Sequence, residues 1–252
     1  MGIDTLMPEG LSGTIGLVLI AASLATSFIS VALGLGGGVV LLALMAVLLP
    51  PAALIPVHGA VQVGSNAGRA LVNLPHVFRA AIIPFTLGSL IGATLGGLIV
   101  IRFPPQAVEL AVGLFILWSV FGRVPAFGRH AVFTGGIVSS FLTMFFGATG
   151  PFVVTIAKSL GLEPLGVVAT HAAFMSMQHV VKIAVFGLLG FAFAPYLPLI
   201  LGMIVSGLIG TLIGKQVLTR FGHYYFQAGL NVILCLAALR LIWSGAATLL
   251  GF

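Results

Sequence analysis

The sequence predicts an all-α polytopic membrane protein built from two inverted-topology repeats, with eight long helices and two short, broken or re-entrant ones. Three observations carry this: too few charges, apolar runs of membrane length, and a self-match at an offset of 113 residues, Gly34 onto Gly147. Only 6% of the 252 residues are charged, 60% are apolar, and the mean hydropathy is +1.27. A soluble domain carries roughly 25% charged residues, so lipid must be the solvent for much of this surface. The 34 glycines agree, because small residues let membrane helices approach closely.

A spanning helix needs about 20 mostly apolar residues. Runs of that kind lie near 11–33, 52–74, 80–101, 106–122, 130–146, 164–188, 194–214 and 225–249. The first follows Asp4 and Glu9 with no Lys or Arg and no A-x-A site, so it reads as a retained helix and not a signal peptide. Two apolar pieces, 39–49 and 151–160, reach only about half of a 30 Å core. Each follows a glycine cluster, Gly34-Leu35-Gly36-Gly37-Gly38 or Gly147-Ala148-Thr149-Gly150, and each ends near proline, Pro50-Pro51 or Pro164. Irregular backbone at membrane depth is tolerated only where protein covers it or it lines a cavity.

The offset that brings Gly34 onto Gly147 also brings Gly37 onto Gly150, Pro51 onto Pro164, His58 onto His171, Arg69 onto Lys182 and Ser27-Phe28 onto Ser140-Phe141. With a small adjustment Gly88 meets Gly202, Gly96 meets Gly210, and Arg102-Phe103 meets Arg220-Phe221. The expected division is residues 1–123 as repeat 1 and 130–252 as repeat 2, within one integral membrane domain. Two successive repeats with an odd number of crossings face opposite ways, the common plan of secondary transporters. Arg79, Arg123, Arg129, Lys215 and Arg220 then fall on one side and Arg102 alone on the other. The positive-inside rule makes the first side cytoplasmic and both termini periplasmic, in a bacterial-type inner membrane.

The polar residues concentrate on two helices. His58, Gln62, Ser65, Asn66, Arg69 and Asn73 share one face of the helix after Pro51, and His171, Gln178, His179 and Lys182 share one face of the helix after Pro164. A charge in mid-membrane costs at least about 2.5–3.5 kcal/mol, so such residues face a cavity or a partner. Neither stripe holds an acid, and Glu109 and Glu163 are the only acids beyond the N-terminal tail. A site rich in cations and donors and poor in carboxylates fits an anion. The short helices add positive N-terminal ends, where Gly36, Gly37, Gly38, Thr149 and Gly150 would cradle an oxyanion. The candidate substrate-binding residues are therefore His58, Gln62, Ser65, Asn66, Arg69, His171, Gln178, His179 and Lys182, with those five backbone positions. Plainer readings compete: Arg69 and Lys182 as snorkelling residues, the histidines as packing residues, and the glycines as close helix crossings.

No zinc-protease, P-loop or nucleophile-elbow motif is present, and the lone Cys235 excludes an internal disulfide or a multi-thiolate metal site. His171 and His179 stand too far apart on one helix to chelate one ion. No catalytic residue, metal or cofactor is expected. The +6 formal charge forms no basic run, which excludes nucleic acid.

Gly34-Leu-Gly-Gly-Gly-Val, then Pro51 and the His58–Arg69 helix, resembles the sulfite exporter TauE/SafE family, and Phe146-Gly-Ala-Thr-Gly-Pro-Phe-Val with Pro164 and the His171 helix is similar to its second half. The resemblance covers nearly the whole chain. It implies a secondary transporter that exports sulfite, sulfoacetate or a related sulfur-containing anion. Ala148-Thr149 stands where a glycine-rich segment is common in that family. The partners expected are a small inorganic or organosulfur anion and the lipid bilayer, with a homodimer left open. A passive anion channel and a non-transporting membrane scaffold or assembly protein are the alternatives.

Overall fold

A computed structural model describes residues 3–8, 10–33, 37–122, 131–217 and 223–251. Gly36, Arg123, Arg129 and Arg220 lie outside the described residues. Among the described residues ten α-helices follow one another: α1 Gly13–Leu33, α2 Gly37–Leu48, α3 Pro51–Val72, α4 Ile82–Val100, α5 Pro105–Phe121, α6 Val132–Phe146, α7 Gly150–Ser159, α8 Pro164–Leu188, α9 Leu197–Val217 and α10 His223–Leu250. Short 3₁₀ turns at Leu74–His76, Arg79–Ala81 and Ala194–Tyr196 fill the approaches to α4 and α9.

Proline sets several of the starts. Pro51, Pro105 and Pro164 open α3, α5 and α8, and Pro151 is the second residue of α7. There a fixed φ suits the helix and the missing N–H is one that has no intrahelical acceptor anyway. The two short helices are real interruptions. At 12 and 10 residues, α2 and α7 reach about 18 and 15 Å. Gly147 breaks α6 from α7 at φ +80°, in the left-handed region that glycine enters at little cost.

The stretches containing α1, α4 and α9 are long and apolar enough to cross a membrane. Helix α5 keeps the 17-residue length of the run expected at 106–122, and α6 has 15 residues against 17 for 130–146, or about 25 and 22 Å. Pro105 opens α5, and the Gly147 turn ends α6 at the expected residue. Helices α3 and α8, at 22 and 25 residues, have ample length, and their polar stripe lowers their apolarity.

The most extensive pairings are α4 with α6, α1 with α9, α5 with α10 and α3 with α8. Secondary ones join α3 to α9 and α4 to α8, α1 to α2 and α6 to α7, and α2 to α3 and α7 to α8. Exchanging the first five helices with the last five, in order, turns each of these pairings into another of them or into itself. Glycine permits the closest approaches. A Cβ on Gly92 of α4 would strike the Ile137 carbonyl of α6, and one on Gly210 of α9 would strike the Leu24 carbonyl of α1. The outward surface is leucine, isoleucine and valine from α4, α9 and α10, and the polar residues of α3 and α8 are drawn inward.

Candidate functional site

Helices α3 and α8 cross at the centre and turn their polar stripes toward one cavity of about 420 Å³. From α3 come His58, Gln62, Asn66 and Arg69; from α8 come His171, Met175 and His179. Gly38 at the start of α2 and Ala148, Gly150 and Pro151 at the start of α7 close it on two sides. Among the described residues that line it there is no Asp or Glu.

The α3 side is a chain of hydrogen bonds. His58 Nε2 lies 2.9 Å from the Gly38 carbonyl, which can only accept, so this nitrogen carries a proton. The Gln62 amide nitrogen lies 3.2 Å from the same nitrogen, a donor facing a donor that adds no bond, and the chain runs on through the Gln62 backbone. Asn66 Nδ2 donates to the Gln62 carbonyl at 2.9 Å, and Arg69 Nη2 donates to Asn66 Oδ1 at 2.8 Å. Successive members stand three or four residues apart, the spacing that brings helical side chains together. The chain orients the guanidinium, yet Arg69 Nε is buried with no partner. His58 Nδ1, His171 Nε2 and both ring nitrogens of His179 are likewise buried and unpartnered. Buried polar atoms in proteins are nearly all hydrogen-bonded, so five such atoms around one cavity mark a place for a polar guest or water.

Of the residues singled out from sequence, His58, Gln62, Asn66, Arg69, His171, His179, Gly38 and Gly150 line this cavity. The others lie elsewhere. Lys182 is fully buried behind it, donating to the Gly147 carbonyl at 2.8 Å and to Thr143 Oγ1 at 3.3 Å. Gln178 donates to Thr149 Oγ1 at 3.0 Å, which leaves its own Oε1 unpartnered. Ser65 belongs to a much smaller cavity shared with the α1 residues Ser23, Thr26 and Ser27. Gly37 faces α1, where a Cβ would meet Ser30 and the Thr26 carbonyl.

The start of α7 supplies fewer donors than a helix start usually does. Pro151 has no N–H, and the amides of Phe152 and Val153 already donate to the Thr149 carbonyl. The hydroxyl and amide side chains of the cavity not singled out from sequence are Ser30, Ser119, Thr155 and Asn231. The repeat offset would have marked Ser30, since it falls on Thr143, the hydroxyl partner of Lys182. Asn231 gives no such signal, being one amide in an apolar helix. Among the described residues, no group of three or more His, Cys, Asp or Glu could hold a metal ion.

A family model described as sulfite exporter TauE/SafE matches residues 19–241. No curated protein and no solved structure matches the chain.

Proposed function

The chain belongs to the sulfite exporter TauE/SafE family, and from that premise we propose that it exports a small oxyanion, sulfite or an organosulfonate such as sulfoacetate, through the cavity between α3 and α8. The observation that carries the reading is the lining itself: Arg69 Nε and ring nitrogens of His171 and His179 are buried and unpartnered around a space whose described lining holds no carboxylate. A cation would find no counter-charge there. A sulfite or sulfonate headgroup offers three oxygens, and charge-assisted hydrogen bonds from a guanidinium are among the stronger ones available.

The same reading takes the two halves, α1–α5 and α6–α10, as inverted repeats with the anion site between them. The exchange-symmetric helix pairings support it. With Arg79 and the end of α9 that carries Lys215 on the cytoplasmic side, both termini are periplasmic in an inner membrane. Ser119 near the end of α5 and Asn231 near the start of α10 then carry the cavity lining toward the cytoplasm.

Liposomes containing the purified chain and challenged with a panel of anions test this. Saturable flux of sulfite or a small sulfonate, lost in Arg69→Ala and in His58→Ala while both variants still insert, is expected. Flux unaffected in both variants overturns the assigned site. Flux that never saturates points to a channel, and no flux of any anion points to a scaffold.

A further inference from the structure

A second cavity, of about 370 Å³, lies at the other end of the same two helices. It is lined by Ala52, Ile55 and Pro56 of α3, by Phe186 and Leu189 of α8, and by Met144 of α6, among others. Along α3 the cavity-facing positions run 52, 55 and 56 into the second cavity, then 58, 62, 66 and 69 into the first. Along α8 they run 171, 175 and 179 into the first, then 186 and 189 into the second. Steps of three and four keep each set on one helical face. The two cavities therefore continue one another along a common seam, and the α8 position between them on that face is Lys182.

Lys182 and its partners fill the gap. The lysine is 0% exposed and grips the Gly147 carbonyl and Thr143 Oγ1, and Thr143 also donates to that carbonyl at 3.0 Å. Met144, next in the chain, is 0% exposed and lines the second cavity. Gly59 of α3 packs against the lysine's outer methylene. The positions that the repeat offset pairs with Lys182 and Thr143 are Arg69 and Ser30, and both of these line the open first cavity. One half thus holds its cation and hydroxyl closed on backbone, and the other holds its matching pair open.

We propose that Lys182, Thr143 and Gly147 form a latch that closes the path between the two cavities, and that Lys182 is a positioning residue and not a ligand of the resting site. The second cavity is the other vestibule of the same path. Its mainly apolar lining, from Ile55, Met144 and Phe186, would hold an anion weakly and so release it. Opening requires Lys182 to leave the Gly147 carbonyl, which frees the α6–α7 break at the one left-handed residue between those helices. The inference rests on the transport reading above.

The test uses the full chain with Cys235→Ser and a single cysteine at Thr155→Cys, in right-side-out and inside-out membrane vesicles. A membrane-impermeant maleimide is applied to each face. With Lys182 and Thr143 intact, labelling from one face only is expected. Adding Lys182→Met or, separately, Thr143→Val should raise labelling from the opposite face about tenfold or more, the population shift that loss of one charge-assisted hydrogen bond produces. Unchanged labelling from the first face identifies a variant as folded. Opening in either folded variant supports the latch, and one-sided labelling in both overturns it. A chain that moves no anion would dispose of the transport reading and leave this labelling pattern as it stands.

Discussion

Arg69 and Lys182 occupy matched sequence positions and have different surroundings. Arg69 is held by Asn66 on one nitrogen and leaves Nε buried and unpartnered at the cavity wall, whereas Lys182 spends its ammonium on a backbone carbonyl and a hydroxyl. Their substitutions should therefore separate kinetically. Arg69→Gln removes a charge-assisted bond to the anion, worth about 1.5–3 kcal/mol, and should raise the half-saturating substrate concentration about tenfold or more. Lys182→Gln should change maximal flux while half-saturation stays within about threefold, because it removes no contact with bound substrate. Initial-rate uptake at a series of sulfite concentrations separates the two, and equal shifts in half-saturation would place both residues at the anion. The residue scale is also where sequence and structure part. The spacing 58, 62, 66, 69 made the α3 wall legible, since a helix of known phase puts those side chains in one line. It could not distinguish an arginine facing a cavity from a lysine folded back onto a turn, because that depends on where Gly147 brings its carbonyl.

At the scale of elements, the glycines that mattered most to the sequence reading were those at the helix breaks, and the structure gives equal weight to those at helix crossings. Breaks were legible because proline and glycine act locally, through φ and a missing N–H. Crossings were not, because nothing within α4 says that Ile137 of α6 will lie against Gly92. Small residues decide such contacts, as membrane helices have little hydrophobic drive to associate. Gly92→Leu should force α4 from α6 and cost about 1–3 kcal/mol or more, as overpacking does. Gly187→Leu is the comparison. It is an exposed position on α8 where a Cβ would meet only Phe193 at an ordinary 3.8 Å. Thermal unfolding in detergent should show a clear drop in Tm for Gly92→Leu and little change for Gly187→Leu. Similar Tm values for the two would mean that the α4–α6 crossing has room the backbone does not show.

For the whole molecule the deciding quantity is charge. The sequence places two of its ten cations, Arg69 and Lys182, with three histidines on the two polar-striped helices and its few acids elsewhere, and that asymmetry was readable from residue positions before any fold was known. What composition could not supply is whether the cavity moves its anion alone. Among the described lining residues the fixed charge is Arg69, with no carboxylate to carry a proton or a metal cation alongside the anion. Uncoupled export of one negative charge would gain about 2.3 kcal/mol per 100 mV of membrane potential, negative inside, equivalent to roughly a fifty-fold gradient. The histidines supply the competing possibility: a proton taken up by His58, His171 or His179 with each anion would cancel part or all of that charge. The fixed-charge count favours electrogenic movement, so sulfite efflux from liposomes should accelerate when valinomycin and a potassium gradient make the interior negative, and slow when the gradient is reversed. The same vesicles without the protein set the leak, and Arg69→Ala vesicles should match them. If efflux instead ignores the clamped potential and follows an imposed pH gradient, the imidazoles carry a compensating proton, and the transported unit is the protonated acid.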